Sequence, residues 1–262
     1  MAQPRKYFFF DYDGTLAIPR THTIPESTRA AVTALEEAGH FVALATGRLQ
    51  CNARDYIESM GITNLVADGG YSVTLGGKLV WMRGLPLGPA KECLRRLDAA
   101  GILWAVSTVN ELVRYTPHSN FDQVAGDYYV PTEYREGLTV DSLETIYKIY
   151  IPVKQEDQDA FIAEGYLEGV PWARYNSDTV FVEPTSKAVG IRRMMEEIGA
   201  ADQLQHVVVF GDGTNDESMF LPEWTSVAMG NAVPQLKEKA TYVTTSCTED
   251  GIANACRHFG WI

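Results

Sequence analysis

The sequence is poor in the features that would take it outside ordinary globular chemistry. Its four cysteines among 262 residues, Cys51, Cys93, Cys247 and Cys256, are scattered. They have neither the paired spacing of a zinc site nor the density of a disulfide scaffold, so they read as reduced packing or surface thiols. No apolar run approaches the roughly 20 residues of a membrane helix, which argues against a membrane-spanning protein. Met1 to Lys6 lead straight into an apolar strand, without the separate apolar region and cleavage site of a signal peptide, and the expected location is the cytoplasm. A basic excess is missing too. The net charge of −12 argues against a nucleic-acid surface, whose usual footprint is a basic patch. It does not exclude an anionic small substrate, because a bound divalent cation and a few placed Lys or Arg set the local potential. With 45% hydrophobic and 21% charged residues, the chain suits one large globular domain or two modest ones.

What the chain does have is a set of apolar strands that stop abruptly at polar clusters. Tyr7-Phe8-Phe9-Phe10 runs into Asp11-Tyr12-Asp13-Gly14-Thr15-Leu16, as a strand covered on both faces of a parallel sheet would. Two aspartates on alternate residues have a chemical reading, in which one attacks as a nucleophile and the other handles a proton. The competing reading is a plain strand followed by an Asp-Gly turn. Glu26 to Ala38 has helical spacing, with Gly39 at its end. A second strand, His40 to Ala45, ends in Thr46-Gly47-Arg48, and a helix is expected over Leu49 to Met60. A third, Leu65 to Ala67, breaks at Asp68-Gly69-Gly70, and a Gly76-Gly77 turn marks a hairpin. Pro184 to Lys187 opens a helix to about Ile198, with Thr185 or Ser186 as candidate cap. His206 to Phe210 is another buried strand, and Gly211-Asp212-Gly213-Thr214-Asn215-Asp216 follows it.

Between these blocks the pattern changes. Pro86, Gly88 and Pro89 read as a linker. A helix (90–100), strands (103–107 and 111–115), a strand (145–153), a helix (157–167) and a hairpin turning at Asn176-Ser177-Asp178 suggest an α+β insert with an antiparallel sheet. The stretch 120–138 has no clear period. The expected fold is therefore α/β: a Rossmann-like, doubly wound, mostly parallel sheet from residues 1–83 and 183–262, interrupted by an α+β unit over 84–182.

Ligands of open α/β sheets bind beyond the carboxyl ends of the strands. Gathering those ends brings together Asp11, Asp13, Asp212 and Asp216, with Thr46, Arg48, Lys187 and Asn215 around them. Four carboxylates raise one another's pKa unless something compensates. Magnesium answers this, since it prefers about six oxygen ligands and commonly binds through one or two carboxylates plus a substrate phosphate. No His or Cys falls within these motifs, which argues against zinc. Lys187 and Arg48 offer cationic donors to a phosphate and Thr46 a hydroxyl. The chemistry supported is phosphoryl transfer to a carboxylate, then hydrolysis.

The four motifs, Asp11 to Leu16, Ala45 to Arg48, Ser186-Lys187 and Gly211 to Asp216, resemble in order those of the haloacid dehalogenase (HAD) superfamily phosphatases. Val227 to Ala232 and Glu249 to Ala253 resemble the tail of the Cof-type subfamily, whose α+β cap lies between the second and third motifs. The resemblance implies that Asp11 is the nucleophile, forming an aspartyl phosphate, and that Asp13 is the general acid and base. It also implies that Thr46 and Lys187 hold the phosphoryl oxygens, with Gly47, Arg48 and Asn215 on the substrate side. Magnesium is then held by Asp11, the Asp13 backbone carbonyl and Asp212, with Asp216 in support. Asp68 departs from the family, which usually has Asn there.

The activity this implies is magnesium-dependent hydrolysis of a small soluble phosphomonoester, a sugar phosphate or a phosphorylated cofactor. The insert would act as a lid whose turns (Arg114, His118, Asn176, Asp178) read the leaving group. The alternatives are a sugar phosphomutase, a disaccharide-phosphate phosphatase, and a non-catalytic binding protein on the same scaffold. Monomer and homodimer are not distinguished.

Overall fold

The computed structural model describes residues 4–53, 60–126, 128–175 and 177–262. The chain divides into two compact units, residues 1–82 with 186–262, and residues 83–185.

The first unit is built on an eight-stranded sheet: β1 (Tyr7–Phe10), β2 (Phe41–Ala45), β3 (Leu65–Ala67), β4 (Ser72–Leu75), β5 (Lys78–Met82), β12 (Val207–Gly211), β13 (Thr225–Ala228) and β14 (Tyr242–Val243). The order is β14-β13-β12-β1-β2-β3-β4-β5. All neighbours from β14 to β3 are parallel, and the β3–β4 and β4–β5 pairs are antiparallel. The chain moves outward one way from β1 to β3 and the other way from β12 to β14, so the switch point falls at β1 and β12.

The aromatic run of β1 follows from this position. Phe8 and Phe10 join Ala31, Val32 and Leu35 of helix α1 (Glu26–Glu37) and Ile252, Ala255 and Cys256 of helix α7 (Gly251–His258) in one apolar layer. Tyr7 and Phe9 join Ala188, Ile191, Met194 and Met195 of helix α5 (Lys187–Glu197) in the other. Alternate residues of a strand face opposite sides, so a strand at the middle of a two-layered cover has no polar side. Each fully buried Phe contributes about 1.5–3 kcal/mol.

Of the helix expected over 49–60, residues 50–53 are helical and 54–59 lie outside the described residues. The Gly76-Gly77 turn joins β4 and β5 with positive φ at both glycines (53° and 77°). Helix α5 differs from expectation at its start. Ser186 occupies the cap position but its side chain makes no capping bond. The Lys187 backbone N–H instead donates to Ser218 Oγ at 3.0 Å. A residue distant in sequence thus satisfies a donor that the local sequence leaves open.

The second unit is a six-stranded sheet in the order β10-β11-β9-β6-β7-β8, formed by Trp172–Arg174 (β10), Thr179–Val182 (β11), Lys148–Pro152 (β9), Ala105–Ser107 (β6), Arg114–Thr116 (β7) and Thr132–Tyr134 (β8). One face is covered by helices α2 (Leu87–Ala99) and α4 (Gln158–Ala163) through Cys93, Leu94, Leu97 and Phe161. On the other, Phe121 of the short helix α3 (Phe121–Ala125) packs on Ala105, Tyr150 and Phe181. Three expectations are corrected. Gly88 and Pro89 are not linker but lie in the first turn of α2, where a missing N–H costs nothing. The unassigned stretch holds α3 and β8. The sheet is not wholly antiparallel, because β8 pairs parallel to β7.

Candidate active site

The site grows from the switch point. The Asp11 N–H donates to Phe210 O at 2.9 Å, extending the β1–β12 pairing by one residue and setting Asp11 beside the loop that carries Asp212. Gly14 turns with φ 84° against that loop, and a Cβ there would collide with the Asp212 carboxylate. Only glycine fits, for space and for backbone conformation.

Asp11, Asp212 and Asp216 offer carboxylate oxygens that all lie within 4.8 Å of one another. Among the described residues, the one ammonium at these carboxylates is that of Lys187, fully buried, whose Nζ donates at 2.5 Å to Asp11 Oδ1 and at 2.5 Å to Asp216 Oδ1. Lys187 is brought there by close packing of α5 on the Asp68-Gly69-Gly70 turn, where a Cβ on Gly70 would strike the Ser186 carbonyl. The other Asp216 oxygen, Oδ2, accepts from the backbone N–H groups of Asp212 and Gly213, both at 2.9 Å. Asp216 therefore shapes the loop that presents Asp212 as well as pairing with Lys187.

Three carboxylates against one ammonium leave excess negative charge in a poorly solvated place. Burial, reinforced by the Asp216 charge, pushes the Asp11 carboxyl well above the usual carboxylate range, Lys187 offsetting only part of this. The same causes in the same order raise Asp212 to about 7. Burial pulls Lys187 down, but Asp11 and Asp216 outweigh it and its ammonium is held above its ordinary range. A divalent cation fits this set. The donors are hard oxygens within 4.8 Å of one another, and three carboxylates beside one ammonium carry a surplus of negative charge that a divalent cation would offset.

Asp13 is not in that cluster. Its carboxylate turns to Arg48, which donates from Nε to Oδ2 at 2.9 Å and from Nη2 to Oδ1 at 2.8 Å, and His22 Nδ1 lies 3.3 Å from Oδ1. Thr46 and Gly47 share the sheet end, because β2 lies in register beside β1 with Leu44 opposite Phe10. The buried Thr46 hydroxyl accepts from the Arg48 N–H at 3.2 Å. Asn215 is exposed beside Gly213. Asp68 has positive φ (50°), and its Oδ2 accepts from Ser72 Oγ at 2.6 Å and from the Gln50 N–H at 3.2 Å. Its carboxylate thus ties down the turn on which α5 rests.

Sequence reasoning missed four residues. Thr15 Oγ1 donates to Asp212 Oδ1 at 3.3 Å. Asn231 Nδ2 donates to Gly14 O at 2.8 Å and to Asp212 Oδ2 at 3.2 Å, while its Oδ1 accepts from the Cys247 N–H at 2.9 Å. Asn231 lay inside a recognisable tail motif and could have been found there. His22 and Ser218 had no local signal. Of the turn residues expected to contact substrate, Arg114 is buried in β7 against Phe121, Tyr128 and Tyr150. Asp178 accepts from the Gln155 N–H at 2.9 Å, His118 stands edge-on to Trp104, and Asn176 lies outside the described residues.

A parallel sheet with carboxylates, a buried lysine and a threonine at the ends of three strands defines a class, and comparison places the chain in it. Residues 8–256 match the family model of the haloacid dehalogenase-like hydrolases, and the chain belongs to that family. It is 32% identical over 260 residues to YkrA of Bacillus subtilis (strain 168), covering 97% of this chain and 98% of YkrA. It is 26% identical over 258 residues to the 5-amino-6-(5-phospho-D-ribitylamino)uracil phosphatase YcsE of the same organism, covering 97% and 95%. Its fold matches the HAD subclass IIB sugar phosphatase BT4131 with a TM-score of 0.76 at 25% identity, over 98% of this chain and 100% of that one. The chain is thus an enzyme, a HAD-like hydrolase of the phosphatase class. No described helix is long and apolar enough to cross a membrane.

Proposed function

We propose that the protein hydrolyses a small phosphomonoester, a sugar phosphate or a phosphorylated cofactor, through a phosphoryl group carried on Asp11, with magnesium as the cation. The observation that carries this reading is Lys187 bonded at 2.5 Å to both Asp11 and Asp216 while Asp212 completes the carboxylate set. A lysine buried there has no apolar role. It fixes the Asp11 carboxylate and supplies positive charge where a phosphoryl group would arrive.

In the first half-reaction an Asp11 oxygen forms a bond to phosphorus as the bond to the ester oxygen breaks, and Asp13 gives its proton to the departing alkoxide. In the second, Asp13 takes a proton from the water that attacks the aspartyl phosphate, releasing inorganic phosphate and restoring the Asp11 carboxylate. The hydroxyl of Thr46 and the ammonium of Lys187 hold phosphoryl oxygens through both steps. Asp11, Asp212 and the Asp13 backbone carbonyl would hold the metal, with Asp216, Thr15 and Asn231 fixing Asp212. Once bound, the metal supplies charge neutralisation for the phosphoryl oxygens. Residues 84–182 form the cap that selects the ester. The substrate class is supported by the names of relatives, a sugar phosphatase and the pyridoxal phosphate phosphatase YbhA of Escherichia coli (strain K12).

The test is phosphate release from a panel of phosphomonoesters, with and without magnesium, by the wild type and Asp11→Asn. Magnesium-dependent release that falls on the order of 10⁴-fold or more in the variant is expected, as for removal of other covalent nucleophiles. Near-native turnover by Asp11→Asn would exclude covalent catalysis at this residue. A lasting phosphoenzyme in the wild type, with no phosphate released from any ester, would move the reading to a phosphomutase.

A further inference from the structure

Asp13 is held by more than its arginine. The segment after the first strand folds into a tight loop in which the Ile18 N–H donates to Thr23 O at 2.9 Å, the His22 N–H to Ile18 O at 3.0 Å, and the Thr23 N–H to Thr21 Oγ1 at 3.3 Å. This loop places His22 Nδ1 3.3 Å from Asp13 Oδ1. The imidazole stacks on Tyr12 with ring centroids 6.4 Å apart and planes at 21°. The Arg48 guanidinium lies 5.6 Å from the centroid of the same Tyr12 ring. Both side chains thus lie near one ring and meet on one carboxylate.

The backbone at His22 has φ 52°, a conformation that asparagine or glycine adopts more readily than most residues. Held conformations of this kind concentrate where geometry is used. What histidine adds over glycine is a side chain that reaches Asp13, and over asparagine a longer, ring-borne one. The arginine alone is an incomplete support for a proton donor. Its two N–H groups engage both carboxylate oxygens, leaving neither free for the leaving group, and an arriving phosphoryl dianion competes for the same guanidinium.

Resting on the role given above to Asp13, we propose that His22 is a positioning residue: its imidazole keeps the Asp13 carboxyl in place for proton transfer to the departing alkoxide when Arg48 is drawn to the phosphoryl group. Asp13 remains the residue that touches the reacting atoms, and His22 acts through it.

The experiment compares kcat/KM for an alkyl phosphate, whose alkoxide needs the proton, with that for p-nitrophenyl phosphate, whose phenolate leaves without one. The variants are His22→Gly, which suits the left-handed backbone and lacks the donor, His22→Asn, which suits it and keeps one, and Asp13→Asn. Since general acid–base catalysis contributes typically 10²–10⁴-fold, His22→Gly should lose about 10-fold on the alkyl ester and no more than about 2-fold on the nitrophenyl ester. His22→Asn should recover part of that loss, and Asp13→Asn should show the same selectivity more strongly. Equal losses on both esters, or none, in His22→Gly would overturn the proposal and leave His22 a loop residue. If Asp13→Asn itself shows no leaving-group selectivity, the role of Asp13 fails first and that of His22 with it. Thermal melting of each variant shows whether it is folded at the assay temperature.

Discussion

Each of the two units buries a lysine against carboxylate, and the two arrangements differ in charge balance. In the inserted unit, Lys148 pairs with Glu183, both almost wholly buried. Tyr175 donates its hydroxyl to Glu183 at 2.5 Å, and the Lys148 ammonium lies over the rings of Phe181 (4.4 Å) and Tyr150 (5.5 Å). One cation meets one anion, and rings and a hydroxyl complete the shell. In the first unit, Lys187 meets Asp11 and Asp216 with Asp212 close by, so the ammonium is outnumbered. A closed, neutral pair has no need of a ligand. A cluster with surplus negative charge favours a cation, and this separates a structural pair from a site when both are buried ion pairs.

The sharpest way to break this distinction is to remove the lysines. Lys148→Met strands a buried carboxylate and should cost about 3–5 kcal/mol, most of it recovered in Lys148→Met with Glu183→Gln, as for other buried pairs. Lys187→Met leaves three carboxylates together, and urea unfolding should show magnesium restoring much of its lost stability while doing nothing for Lys148→Met. Equal rescue of both by magnesium, or of neither, would erase the difference.

A second, smaller effect is in pH. Asp212 binds its proton more tightly in the folded chain, with a pKa raised to about 7, than in the unfolded chain at about 3.9. Its contribution to metal-free stability is therefore fully present below about pH 4 and is lost as pH rises through about 7. Without metal, the melting temperature should fall between pH 5 and 8. Magnesium, which needs the ionised carboxylates, should raise it more at pH 8 than at pH 5. A metal effect equal at both pH values would contradict the assignment of surplus charge to this cluster.

The smallest effect is expected at Asp68. Asn accepts positive φ and keeps an acceptor for Ser72 and Gln50, so Asp68→Asn should change stability by less than about 1 kcal/mol and turnover by less than 2-fold. A 10-fold loss of turnover would move Asp68 from the supporting turn into the site.

Much of the core was legible because its signals are local. Phe8, Phe9 and Phe10 announce a strand covered on both faces, and Asp11, Thr46 and Asp212 each stand just past such a strand, where an open parallel sheet puts its ligands. The insert was less legible for equally physical reasons. Among the described residues, four of its six strands are only three residues long, too short for a period to show. Gly88 and Pro89, punctuation elsewhere, are tolerated in the first turn of α2. Arg114, polar and close to a predicted turn, sits inside an aromatic box because cation–ring contacts offset its burial.

The amino-acid sequence by itself determined the order of the elements, the class of fold and the residue types at the strand ends, since these depend on runs of neighbouring residues. Tertiary structure alone decided which charges face which. That Lys187 meets both Asp11 and Asp216, that Ser218 caps α5, and that Arg48 holds Asp13 are relations between side chains far apart along the chain. Electrostatics in a poorly solvated site depends on distances of a few ångströms, and no local pattern records those distances.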